Sequence, residues 1–121
     1  MTPAAPERAF VAFGGNEGEV RANLLAALET LATLPGTSVQ RRSSFYRTPA
    51  WGRTDQPDFI NAVAKIATTL NAMALLSALQ AIENTAGRER PYRNAPRTLD
   101  LDLLLYGDAT IDSPTLTVPH P

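Results

Sequence analysis

The chain has 121 residues, of which 44% are apolar and 19% are charged, and its formal net charge is −1. These values are typical of one soluble globular domain and exclude a collagen-like, disordered or disulfide-stapled chain. Because there is no cysteine, thiolate metal ligands and cysteine nucleophiles are excluded too. No apolar run approaches the roughly 20 residues that span a bilayer, and no signal-peptide pattern opens the chain. We therefore expect a cytoplasmic protein, without nucleic acid or a membrane as partner.

The first half of the chain has the pattern of a strand, a helix and a strand. Residues 10–13 are a short apolar run ended by glycine-rich residues 14–18, which predicts a strand and a tight turn. Apolar residues then recur at helical spacing from Val20 until Pro35 and Gly36 end the helix. Residues 39–47 predict a second strand, and polar residues 49–58 predict a loop.

The second half has the order strand, helix, strand. Residues 59–70 predict the third strand, and Asn71 is placed to cap a second helix that Gly87 ends. Residues 99–106 predict the fourth strand, and 107–121 predict a turn and an extended tail. The order βαββαβ predicts an α+β fold of the ferredoxin-like type, with two helices on one face of an antiparallel sheet. Many functions use this fold, so it does not identify one.

Two aspartates begin the predicted fourth strand. Since side chains alternate along a strand, Asp100 and Asp102 point to one face and the leucines between and beside them to the other. Two carboxylates on one face repel each other unless a cation lies between them, and such oxygen ligands suit Mg²⁺. The alternative is the exposed face of an amphipathic strand, although aspartate is disfavoured in strands.

Four arginines lie just before this strand, at positions 88, 90, 93 and 97, and only Glu89 opposes them. Guanidinium groups bind carboxylate or phosphate through paired donors, so the cluster is a candidate anion site. Cations beside a carboxylate–metal pair are the arrangement that holds a polyphosphate during phosphoryl transfer. The alternative is a composition that favours arginine throughout the chain, since ten of the eleven basic residues are arginine.

Other candidate residues allow two interpretations each. Gln80 and Glu83 share one face of the second helix and point toward Arg88, but by themselves they fit a solvated helix flank. His120 is the single histidine and lies between two prolines, so it could contact phosphate or be a surface residue. The Gly14-Gly15-Asn16 turn lacks the spacing of a phosphate-binding loop or a dinucleotide turn.

Four segments resemble the 6-hydroxymethyl-7,8-dihydropterin pyrophosphokinase family of folate biosynthesis. They are Ser44-Phe45-Tyr46-Arg47-Thr48-Pro49, Asp55-Gln56-Pro57-Asp58-Phe59-Ile60-Asn61, Pro96-Arg97-Thr98-Leu99-Asp100-Leu101-Asp102-Leu103-Leu104-Leu105-Tyr106-Gly107 and Leu116-Thr117-Val118-Pro119-His120-Pro121. The third segment is highly specific, and all four occur in the family's order. Gly14-Gly15-Asn16 is similar to the family's Gly-Ser-Asn turn, with Gly15 in place of serine.

The resemblance implies transfer of the β,γ-diphosphate of ATP to the pterin hydroxymethyl oxygen, with release of AMP. It implies that two Mg²⁺ ions are held by Asp100 and Asp102, and that Arg88 and Arg97 stabilise the transferring group. The nucleotide contacts that it implies are Gln80, Glu83, Arg88, Arg90, Arg97, Leu103, Thr117 and His120. The pterin contacts that it implies are Thr48, Pro49, Ala50, Trp51, Gly52, Phe59 as a stacking ring and Asn61 as a hydrogen-bonding amide. For Phe59, core packing is the simpler interpretation.

The chain also departs from the family. Asn94 stands where some members carry a tryptophan, and members continue past the Pro-His-Pro segment with an arginine and a phenylalanine. We therefore expect one domain over residues 1–121 that lacks the family's C-terminal strand and helix, including the second aromatic wall of the pterin pocket. The alternative function is a weakly active or non-catalytic nucleotide-binding remnant. We expect a monomer, with association through an exposed edge strand as a further possibility.

Overall fold

The computed structural model describes residues 5–49, 57–85 and 99–121. Within these ranges the chain forms seven strands and two helices: β1 (Glu7–Gly15), α1 (Val20–Ala32), β2 (Thr37–Arg42), β3 (Tyr46–Thr48), β4 (Phe59–Thr68), α2 (Ala72–Thr85), β5 (Asp100–Tyr106), β6 (Ile111–Asp112) and β7 (Thr117–Val118). The predicted α+β class is confirmed.

The main sheet is antiparallel, with the strand order β2-β4-β1-β5. β3 pairs with β4 as well, beyond the end of β2, so that β2 and β3 follow one another along the same edge of β4. The central strands β1 and β4 pair over nine positions, from Glu7 opposite Thr68 to Gly15 opposite Ile60. This long ladder fixes which side chains of β1 and β4 share a face.

One face of the sheet carries the core. Val11 lies opposite Ala64 on one side and Leu103 on the other, and all three side chains are buried. Both helices contribute to the same cluster, for example through Leu24 of α1 and Leu79 of α2. The alternate positions of the strands, including Ala12, are only partly buried. The second face of the sheet is therefore where polar side chains can meet a ligand.

The prediction of one continuous strand over residues 39–47 is wrong, because this segment forms parts of two strands, β2 and β3. The register of β2 on β4 shifts between Val39 and Arg41, and Ser43 then bonds Val63 through both its backbone N–H and its Oγ. Phe45 packs against the core, and its ring is flanked by the guanidinium groups of Arg21 and Arg42 at 5.6 and 4.6 Å. This inward turn interrupts the strand and sets the position of β3.

Several element ends differ from the predictions. β1 continues through Gly14 and Gly15, so the turn begins later, at Asn16, and contains Gly18 with a φ of +74°. The cap of the second helix is confirmed, because Asn71 Oδ1 accepts the N–H of Ala74 at 2.8 Å. The predicted extended tail includes a small antiparallel pair, β6 with β7.

Among the described residues no helix is long and apolar enough to cross a membrane.

Candidate active site

A small cavity opens on the second face of the sheet, close to the ends of β1, β3, β4 and β5. Its volume is about 80 Å³. Residues from all four strands line it: Ala12, Phe13, Gly14, Tyr46, Phe59, Asn61, Asp100 and Asp102. Four of the predicted site residues, Phe59, Asn61, Asp100 and Asp102, therefore lie around one cavity.

The strand register explains how these residues meet. Tyr46 lies opposite Asn61, Asn61 opposite Gly14, and Gly14 opposite Asp100, so the four form one row across the sheet. Neighbouring strands lie about 4.8 Å apart, which puts the backbones of Asn61 and Asp100 about 10 Å apart. Between these two strands, Ala12 and Gly14 lie two residues apart on β1 and form a floor with little side-chain volume.

The two aspartates share the cavity face, as predicted. The leucines that alternate with them are in the core, since Leu99, Leu101 and Leu103 are 1%, 6% and 3% exposed. No group of three or more histidine or acidic side chains that could hold a metal occurs within the ranges described. An ion bound by the two carboxylates would take its other ligands from water or phosphate, which is usual for Mg²⁺. The donor set therefore fits this ion.

His120 lies beside the aspartates. Its backbone N–H donates to Leu104 O at 2.9 Å, and its ring Nε2 is 3.7 Å from Asp102 Oδ1. The side chain is 41% exposed and that of Asp102 is 48% exposed, so both are accessible to a ligand. Thr117 is exposed on β7, which lies next to β5. The chain end is thus part of the candidate site.

Glu83 and Gln80 have different environments. Gln80 is exposed, whereas Glu83 is 4% exposed and its Oε2 accepts the N–H of Leu101 at 2.8 Å. The interpretation as a solvated flank is therefore wrong for Glu83. Because Leu101 lies between the two aspartates, the Glu83 carboxylate connects α2 to the segment that carries them.

Leu103, a predicted nucleotide contact, has its side chain in the core and presents only its backbone.

The residues that are predicted to contact the pterin lie at the opposite end of the cavity. The side-chain amide of Asn61 donates from Nδ2 to Thr48 Oγ1 at 2.9 Å. Phe59 is partly buried but lines the cavity and is not a member of the core cluster, which argues against the core-packing interpretation. Pro49 is exposed at the end of the described segment. The predicted residues Ala50, Trp51, Gly52, Arg88, Arg90 and Arg97 lie outside the described residues.

Sequence reasoning missed four residues that line the cavity, namely Ala12, Phe13, Gly14 and Tyr46. Tyr46 is 49% exposed, which is unusual for a large aromatic ring. Tyr46 and Thr48 are two residues apart, so a strand prediction could have placed both side chains on one face. The positions of Ala12 and Gly14 between Asn61 and Asp100 depend on the order of the strands, which no local pattern contains.

Comparison with known proteins adds an independent observation. Residues 10–121 match the family described as 7,8-dihydro-6-hydroxymethylpterin-pyrophosphokinase. The chain belongs to this family.

Individual proteins with similar sequences carry the name of the same enzyme. A protein of Haemophilus influenzae named 2-amino-4-hydroxy-6-hydroxymethyldihydropteridine pyrophosphokinase is 47% identical over 112 residues, which cover 93% of this chain and 70% of the relative. A protein of the same name from Pseudomonas aeruginosa is 46% identical over 114 residues, covering 94% and 70%. A third, from Synechocystis, is 46% identical over 128 residues, covering 100% of this chain and 65% of the relative.

Proposed function

We propose that this pyrophosphokinase family member transfers the β,γ-diphosphate of ATP to the hydroxymethyl group of 6-hydroxymethyl-7,8-dihydropterin, a step of folate biosynthesis. The observation that carries the proposal is the cavity that joins an amide and an aromatic ring, Asn61 and Phe59, to the aspartate pair on one sheet face. Relatives that are 46–47% identical carry the name of this enzyme, so the nucleotide-binding remnant is not favoured.

The pterin end of the site is Asn61 with Phe59. An amide offers both an acceptor oxygen and N–H donors, which matches the donor–acceptor edge of a pterin pyrimidine ring. The ring of Phe59 offers an apolar face for a flat heterocycle, and Tyr46 offers a second aromatic surface on the neighbouring strand. We also assign the walls of this end to Thr48 and Pro49, together with Ala50, Trp51 and Gly52.

The phosphate end of the site is Asp100 with Asp102. We assign two Mg²⁺ ions to these carboxylates, and when bound they would neutralise phosphate charge and hold the attacking and leaving oxygens. The pterin hydroxymethyl oxygen attacks the β-phosphorus, the bond from that phosphorus to the bridging α,β-oxygen breaks, and AMP leaves with that oxygen. The hydroxyl proton passes to solvent water as the new oxygen–phosphorus bond forms. The distance of about 10 Å between the strands that carry Asn61 and Asp100 is one that a bicyclic ring with a one-carbon substituent spans.

The nucleotide contacts surround β5. Thr117 and His120 come from the chain end and Gln80 from α2, while Leu103 can contribute its backbone. Glu83 is buried under the same strand, and we assign it a role in holding β5 as well as the nucleotide side of the site. We retain Arg88, Arg90 and Arg97 as phosphate ligands, with Arg88 and Arg97 stabilising the charge of the transferring group.

We also propose a fold type, an oligomeric state and a cellular location for the protein. The strand order β2-β4-β1-β5, with β3 continuing β2, supports a ferredoxin-like arrangement with the two helices on one face. We propose one pyrophosphokinase domain over residues 1–121, which acts as a monomer in the cytoplasm.

The test is product formation. The protein, ATP, Mg²⁺ and 6-hydroxymethyl-7,8-dihydropterin should yield AMP and pterin diphosphate in equal amounts, as measured by chromatography. Omission of the pterin or chelation of Mg²⁺ should abolish both products. Formation of ADP, AMP release that does not need the pterin, or no reaction at all would overturn the proposal.

A further inference from the structure

Gly14 occupies a position on the cavity floor where there is no room for a side chain. A Cβ atom built there would lie 2.9 Å from Asn61 Oδ1, closer than such atoms approach in proteins. The nearest backbone atom is Ile60 O at 3.8 Å, which is an ordinary contact. A side chain at position 14 would therefore displace the Asn61 carboxamide, whereas the backbone around it would accept an alanine.

Thr48 fixes the other end of the same amide. Asn61 Nδ2 donates to Thr48 Oγ1 at 2.9 Å, so the amide nitrogen faces β3. The amide oxygen lies over Gly14, on the side of the row that leads to Asp100. The two neighbouring strands thus restrain the carboxamide from both sides, Thr48 through a hydrogen bond and Gly14 by leaving room for the amide oxygen.

We propose that Gly14 and Thr48 are positioning residues that hold the Asn61 carboxamide in one orientation for recognition of the pterin edge. This inference rests on the proposed function, since the amide is useful in that orientation only if a donor–acceptor edge binds beside it. An amide moved out of this position would no longer align its oxygen and its N–H groups with the donor–acceptor edge of the ligand.

Asn61 is the only protein side chain that the Gly14→Ala substitution should displace. The new methyl group must push the amide oxygen aside, because the oxygen is the end of a movable side chain and the closest atom. Loss of one or two well-aligned hydrogen bonds should raise the Kd for the pterin by about tenfold, while the Kd for Mg-ATP stays the same. A lower affinity for the pterin with an unchanged melting temperature is the expected pattern.

A double-mutant cycle tests this mechanism. The Kd for 6-hydroxymethylpterin is measured by calorimetry in the presence of Mg²⁺ and a non-hydrolysable ATP analogue, for wild type, Gly14→Ala, Asn61→Ala and the double variant. Because the Asn61 side chain is the obstacle, Gly14→Ala should have no further effect once Asn61 is alanine. An equal effect of Gly14→Ala in both backgrounds, or none in wild type, would overturn the proposal.

Thr48 provides the second arm and Lys65 the control. Thr48→Ser keeps the hydroxyl and should retain affinity, whereas Thr48→Val should lose it to a degree similar to Gly14→Ala. Lys65→Ala lies on the same face of β4, outside the cavity, and should change nothing. Equal affinities for the serine and valine variants would exclude the role of the hydroxyl.

A readout without any ligand separates this inference from the proposed function. The Asn61 side-chain N–H signals in a ¹⁵N-correlated NMR spectrum should move in Gly14→Ala and Thr48→Val, and not in Lys65→Ala. If the wild type binds no pterin while these shifts occur, the substrate assignment fails and the restraint on Asn61 stands. Unmoved signals in both variants would overturn the restraint, whatever the activity.

Discussion

Glu83→Ala should destabilise the protein and disturb the aspartate pair although residue 83 lies on a helix and not on β5. In wild type the buried carboxylate accepts the N–H of Leu101, the residue between Asp100 and Asp102. β5 is the last strand of the main sheet, so this bond attaches its outer edge to α2. Without it the segment that carries both carboxylates loses a support on the side away from β1.

The magnitude follows from the burial of this bond. A hydrogen bond to a charged group contributes about 1.5–3 kcal/mol to stability. Removing the Glu83 carboxylate takes this acceptor away from the Leu101 N–H in the protein interior. We therefore expect the free energy of unfolding to fall by about 2–3 kcal/mol. For a chain of this size that corresponds to a decrease in melting temperature of roughly 6–15 °C.

The assay is urea unfolding combined with the Mg²⁺ dependence of AMP formation. Glu83→Gln keeps an amide oxygen as acceptor and should recover most of the stability. With both variants folded, Glu83→Ala should need more Mg²⁺ for half-maximal rate than Glu83→Gln. A loss of less than about 0.5 kcal/mol in Glu83→Ala, the level of an ordinary surface substitution, would refute the reasoning.

Three further predictions concern single side chains. Asp100→Ala or Asp102→Ala should abolish Mg²⁺-dependent AMP formation and leave the melting temperature almost unchanged, because partly exposed carboxylates contribute little to folding; near-normal rates would contradict the metal assignment. Tyr46→Ala should raise the Kd for 6-hydroxymethylpterin by about two- to tenfold, and Tyr46→Phe should not, if the ring itself makes the contact. Desolvation, and secondarily Glu7, raises the pKa of Tyr106 above its ordinary value. The unfolded chain then loses this proton first, so the free energy of unfolding should fall as the pH rises above about 10. Urea titrations should find no such contribution in Tyr106→Phe.

The sequence is sufficient for features that depend on local periodicity. The alternation of Asp100 and Asp102 with buried leucines follows from the period of two along a strand, and Asn71 caps α2 as its residue type suggests. These predictions needed no knowledge of the neighbouring elements. The resemblance then predicted Phe59 and Asn61 as members of one site, and both line the same cavity.

Features that depend on distant segments could not be predicted in this way. Whether Glu83 is solvated or buried depends on Leu101, which lies 18 residues further along the chain. The split of the second strand depends on Phe45 packing between two arginines, one of them on α1. Likewise, Gly14 lies between Asn61 and Asp100 only because β1 is the strand between β4 and β5. A glycine in a predicted turn gave no indication of this role.

The two ends of the cavity are therefore built by different kinds of contact. The proposed pterin end consists of residues on β1, β3 and β4, held by strand pairing and by the Asn61–Thr48 bond. The proposed phosphate end lies on β5, whose outer edge is bonded by the Glu83 side chain and by the backbone of His120 at Leu104. Substitutions at Gly14 or Thr48 should consequently change pterin affinity alone, whereas those at Glu83 should change Mg²⁺ and nucleotide affinity. Among the described strands, β1 lies between β4 and β5. A larger side chain at Ala12, which lines the cavity, should therefore weaken binding at both ends.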